Sequence, residues 1–135
     1  MISVDITGSV PRFPKRDIAT FVRRVVRHLD VQTDDVAIAF VDDAAMRKLN
    51  REFRRKDKTT DVLTFPGDEP THLGDIVISL EQARRQARDE KHSLATEVRY
   101  LILHGILHSL GYDHETDDGE MNSLELKVRA KVGLA

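Results

Sequence analysis

Cysteine is absent. Its absence removes disulfides, thiolate metal ligands and cysteine nucleophiles together, and it fits a cytoplasmic chain. No apolar run reaches membrane-spanning length, so no transmembrane helix and no membrane partner are expected. The stretch from Met1 to Pro14 lacks a basic segment leading into an apolar core, so no signal peptide is expected either. A large excess of one charge is also missing. The net charge is −2, so any contact with a polyanion must come from a local patch. Repeats, low-complexity segments and linkers are lacking as well. What is there is 135 residues, 40% hydrophobic and 33% charged, enough for one domain over 1–135 with a proper core.

Hydrophobic periodicity predicts nine elements. Ile2–Ile6 reads as a strand. Pro14–Asp30 reads as a helix with Ile18, Phe21, Val22, Val25 and Leu29 on one face. Val36–Val41 is a short apolar strand. Asp42–Arg54 is a helix capped by Asp42 or Asp43, with Met46, Leu49 and Phe53 turned inward. Asp61–Phe65 is a strand stopped by Pro66 and Gly67, and Asp75–Ser79 is a strand entered through Gly74. Leu80–Lys91 is a charged, exposed helix. Leu94–Leu110 is apolar on nearly every face and reads as the central buried helix, and Glu120–Val132 as an amphipathic closing helix. This order predicts an α+β fold: a roughly four-stranded mixed sheet packed with helices.

The central helix ends in His104-Gly105-Ile106-Leu107-His108-Ser109-Leu110-Gly111-Tyr112-Asp113-His114. Residues four apart share a helix face, about 6 Å apart along the axis, so His104 and His108 point the same way. Gly111 tolerates the left-handed conformation that ends a helix, which lets the chain turn and bring His114 back. Three imidazoles with a fourth position open make a catalytic, zincin-like zinc site. The spacing is that of H-E-x-x-H-x-x-G-x-x-H metalloproteases, but Gly105 stands where their glutamate base would be. Proteolysis is therefore disfavoured. Imidazole also suits nickel or copper, so one zinc ion per chain is expected with nickel as an alternative. Asp61, Asp75 and Asp113 are candidates to orient the ligands from behind, each with a turn or strand-end role as its alternative.

Between Arg47 and Lys58 seven cations face only Glu52 and Asp57, a local +5. As a charge run alone this would be a solvated face. It leads, however, into a strand expected beside the metal helix, and arginine contacts phosphate bidentately without losing its charge. A basic loop beside an open metal site suits phosphodiester hydrolysis. The other arginine clusters, at 23–27 and 84–88, read as solubility features. His28, His72 and His92 read as surface residues, and Met121 as core packing.

The segment from Leu49 to Pro66 resembles the N-x-x-Y/F-R-x-K-D-x-x-T-D-V-L-S-F-P signature of the YbeY family of bacterial endoribonucleases, also called rRNA maturation factors. Gly74-Asp75-Ile76-Val77-Ile78-Ser79 resembles its G-D-I-x-I-S strand, and His104 to His114 its H-G-x-L-H-L-x-G-Y-D-H metal motif. The likeness covers nearly the whole chain. It departs from the pattern at Arg55, where glycine is common, at Thr59, where proline is, and at Thr64 and Ser109, which replace serine and leucine.

The resemblance implies a metal-dependent endoribonuclease directed at single strands. It implies a role in maturing the 3′ end of 16S ribosomal RNA and in ribosome quality control, with the ribosome or its small subunit as partner. It carries the metal ligands onto His104, His108 and His114, makes His104 essential for activity, and puts phosphate contact on Arg54, helped by Arg55, Lys56 and Lys58. Two other classes stay open: a zinc hydrolase of another substrate, and a non-catalytic ribosome-associated factor whose zinc is closed off by an acid from 115–120.

Overall fold

A computed structural model describes residues 3–29, 31, 35–67, 72–113 and 115–134. The elements follow the predicted order: β1 (Ser3–Thr7), α1 (Lys15–Arg27), β2 (Asp35–Val41), α2 (Asp43–Arg54), β3 (Val62–Pro66), β4 (His72–Ser79), α3 (Leu80–Asp89), α4 (Leu94–Ser109) and α5 (Glu120–Val132). The strands form one sheet in the order β1-β2-β4-β3. β1 and β4 run parallel to β2, and β3 runs antiparallel to β4. The architecture is thus α+β, with a four-stranded mixed sheet and five helices.

Strand alternation splits the apolar residues between two faces. Val36, Ile38 and Phe40 of β2 and Ile76 and Ile78 of β4 join the main core with α1, α4 and α5. Ala39, Val41 and Val77 point the other way, into a smaller cluster with Met46 and Leu49 of α2. In α4, Ile102, Leu103, Ile106 and Leu107 are fully buried, at about 1.5–3 kcal/mol each. Met121 is core, as its place in an amphipathic helix predicted. No helix among the described residues is long and apolar enough to cross a membrane.

Local signals set the boundaries. Asp42 is the cap of α2, its carboxylate accepting from the Ala45 N–H at 2.8 Å. Ser79 and Ser93 cap α3 and α4 in the same way. Three expectations need correction. β4 starts at His72 rather than Asp75, because β2 pairs with it that far back. His92 is not a free surface residue: its Nε2 lies 2.7 Å from the buried Glu97 carboxylate, and its ring packs on Tyr100. Phe53 does not turn inward. It lies beyond the apolar cluster under α2 and is 58% exposed.

Candidate active site

The helix α4 fixes the histidine pair. His104 and His108 have their Nε2 atoms 3.0 Å apart and their ring centroids 4.5 Å apart, one ring edge-on to the other. Oε1 of Glu125 on α5 lies 3.7 Å from the other His104 nitrogen, Nδ1. The helix ends where the glycine signal predicted. Gly111 takes φ +95°, its N–H donates to the His108 carbonyl, and the Tyr112 N–H donates to Leu107. His114, the expected third ligand, lies outside the described residues. Among the described residues no three acidic or histidine side chains are grouped so as to hold a metal. The donor chemistry of the pair nonetheless fits a cation: imidazole nitrogen is a common zinc ligand, and here two face each other at short range.

Gly105 has a role that its reading as a missing base overlooked. A Cβ at this position would lie 2.9 Å from Cγ2 of Ile76 on β4. The position faces the sheet, and glycine lets α4 lie close against it. A glutamate here would be driven into the core.

Opposite the pair stands β3. A cavity of about 510 Å³ runs between them, lined by Arg54, Asp61, Thr64, His104, His108 and Glu115 among others. Arg54, the last residue of α2, donates from Nη2 to the Thr64 carbonyl at 2.8 Å and sits 5.9 Å from the Phe65 ring centroid. The helix end and the strand thus hold the guanidinium in the cavity wall. Asp61 lines the same wall. Its carboxylate accepts from the Val62 N–H at 2.8 Å and, at 3.4 Å, from Gln86, which also donates to Glu97.

The other two candidate acids sit elsewhere. Asp75 falls on the opposite face of β4 from Ile76, by strand alternation, and lies 3.1 Å from His72. Asp113 is a turn residue, accepting from the Glu115 N–H on its side chain and from Thr116 and Asp117 on its carbonyl.

The basic segment is a held loop. Asn50, nearly buried, donates to the Lys58 carbonyl at 2.9 Å, and the Lys56 N–H donates back to Asn50. Arg47 is spent on Asp57, at 2.9 and 3.1 Å, with Arg51 3.7 Å away. The hydrogen bond from Arg47 holds the Asp57 carboxyl below its ordinary pKa. Arg55, Lys56 and Lys58 are exposed and make no ion pair among the described residues. Arg55 takes φ 58°, ψ 32° as the cap of α2. That left-handed conformation explains why glycine would suit the position. The sequence alone missed Asn50, Gln86, Glu97 and Glu125, while Glu115 falls in the 115–120 stretch expected to offer a closing acid. Asn50 stood inside the quoted signature but gave no sign of its partner.

Fold and cleft define a class: an α+β domain whose buried helix presents an i, i+4 histidine pair across from a strand-anchored arginine. The chain belongs to the family described as Endoribonuclease YbeY, which it matches over residues 6–133. It is similar to the endoribonuclease YbeY of Solibacter usitatus, 49% identical over 116 residues that cover 84% of this chain and 78% of that one. The Aquifex aeolicus endoribonuclease YbeY is 41% identical over 128 residues, covering 90% and 85%. The solution structure of a Thermotoga maritima protein superposes with a TM-score of 0.65 at 29% identity, covering 96% of this chain and 89% of that one.

Proposed function

We propose that this chain is a metal-dependent endoribonuclease that cuts single-stranded RNA in the cytoplasm. Its task is maturation of the small-subunit ribosomal RNA 3′ end and ribosome quality control. The observation that carries the reading is that Arg54 and the pair His104 and His108 line one cavity in a member of the Endoribonuclease YbeY family. His104, His108 and His114 would hold one divalent ion, zinc or alternatively nickel. Such an ion supplies Lewis-acid polarisation of a phosphoryl oxygen and lowers the pKa of water.

The remaining roles belong to side chains. Arg54 spends one nitrogen on Thr64 and keeps its other N–H groups for a phosphate, whose growing negative charge it would stabilise. Arg55, Lys56 and Lys58 add positive charge along the approach of a polyanion. Glu125, beside Nδ1 of His104, would steady that ring. Asp61 would brace the wall opposite the pair rather than touch the ion.

One observation favours a second reading. Glu115 lines the cavity, and a carboxylate in the fourth position would close the site into a structural one. Cleavage decides between the two. A small-subunit rRNA precursor is incubated with the metal-loaded protein, with His108→Ala, and with chelated protein. The proposal expects cleavage in the first alone. Equal cleavage in all three would trace it to a contaminant. Bound metal without cleavage in any would favour the closed, non-catalytic site.

A further inference from the structure

Phe53 is an anomaly of the surface. Helical spacing places it in line with Met46 and Leu49, yet its ring is 58% exposed, while Met46 is fully buried. It is not loose. Its ring stands edge-to-face with Phe65, at 5.2 Å between centroids and 77° between planes. Phe65 in turn packs on the cluster of Met46, Leu63 and Val77, and carries the Arg54 guanidinium 5.9 Å from its centroid. The exposed ring is thus rigidly mounted next to the arginine that walls the candidate active site. The chain around it is cationic: Arg51, Arg54, Arg55, Lys56 and Lys58, all exposed, lie within five residues of Phe53 in sequence, against the two acids Glu52 and Asp57.

Exposed apolar rings are unfavourable in water, and rings set among fixed cations are the way single-stranded nucleic acids are held. Bases stack on the ring while arginine and lysine follow the phosphates. We propose that Phe53, backed by Phe65, is the stacking platform for an unpaired base of the RNA, next to the phosphate that Arg54 contacts. The proposal rests on the RNA-cleaving reading above and adds a subsite to it. A duplex keeps its bases stacked on each other and cannot use such a platform, so the ring also supplies a preference for single strands. The surrounding positive charge favours a nucleic acid over a protein partner as the occupant.

The test uses the metal-loaded protein and a single-stranded oligoribonucleotide with one abasic site walked along its length. Wild type is compared with Phe53→Leu, which keeps apolar bulk without a π face, and with Phe53→Trp. Thermal melts check that each folds. Removing a stacked base or its aromatic weakens single-strand binding by about five- to hundredfold. The loss in Phe53→Leu is expected mainly in KM, with Phe53→Trp restoring it. One abasic position should weaken wild type by a similar factor and leave Phe53→Leu indifferent. Phe53→Leu with wild-type KM, or with the same abasic profile, overturns the platform while RNA cleavage still stands. A wild type that neither binds nor cuts RNA overturns both readings. Unchanged RNA handling with lost binding to a purified protein partner would assign the ring to a protein contact.

Discussion

Substituting Gly105 by alanine tests how α4 is set on the sheet. An alanine Cβ would come within 2.9 Å of Ile76 Cγ2 and 3.2 Å of its Cγ1 and Cδ1. Ile76 is buried and β-branched, with a stiff χ1, so it cannot swing aside. Two effects compete. Helix propensity favours alanine over glycine by about 1 kcal/mol. Overpacking a tight core costs about 1–3 kcal/mol. The balance expected is a net destabilisation of about 1 kcal/mol, a fall in melting temperature of roughly 3–5 °C for a domain of this size. The partner variant makes the test sharper. Ile76→Ala alone should cost about 2–5 kcal/mol, but less by at least about 1 kcal/mol in the Gly105→Ala background, where the new methyl fills part of the gap. Urea unfolding of the four proteins measures this coupling. Activity should fall more than stability, because a helix pushed off β4 carries the histidine pair away from Arg54, and a displacement of about 1 Å can cost a hundredfold. Gly105→Ala stabilised by the full propensity term, with additive effects in the cycle, would refute the close packing.

Three further expectations follow from the site. Arg54→Ala should lower kcat for RNA cleavage by about 10²–10³, as removal of a charge-stabilising donor does, while metal content by atomic emission stays at the wild-type level. Arg55→Gly should raise stability by about 1 kcal/mol by relieving the left-handed backbone. It should also weaken RNA binding and make its salt dependence shallower by about 0.7 in log–log slope; an unchanged melting temperature would contradict the strain. Asp43 gives an acid signature. Burial pushes its carboxyl up, but hydrogen bonds from Ser79, Arg85 and Thr59 together hold it below the ordinary 3.8. A depressed folded-state pKa adds stability above the unfolded value and loses it as pH falls through the folded one. Asp43→Asn should therefore melt below wild type at neutral pH, with the gap closing as pH drops below 3.8.

Much of the fold was legible because local rules and global packing agree. The element order, the Asp42 cap and the Gly111 exit are each set by a few neighbouring residues. What the sequence hid depends on where elements stop against one another. Periodicity put Phe53 on the inner face of its helix, but only the sheet's extent shows that the cluster ends before it. The glycine after His104 read as an absent base, because nothing in one strand of letters says that Ile76 presses against that position. Glu97 carries no local signal within its apolar helix; its partners, His92 and Gln86, come from the preceding turn and helix. Asp61 and Asp75 looked alike as candidates, and the chain's path puts one in the cavity wall and the other on the far face of β4.

The central claim is a single divalent ion held by three histidines in an RNA-cleaving cleft. Metal analysis with X-ray absorption on the purified protein and on His104→Ala, His108→Ala, His114→Ala and Arg54→Ala tests it most directly. The account expects one ion per chain with three imidazole nitrogens, lost from each histidine variant and retained in Arg54→Ala. Full metal occupancy in the histidine variants, or RNA cleavage undiminished without any metal, would contradict it.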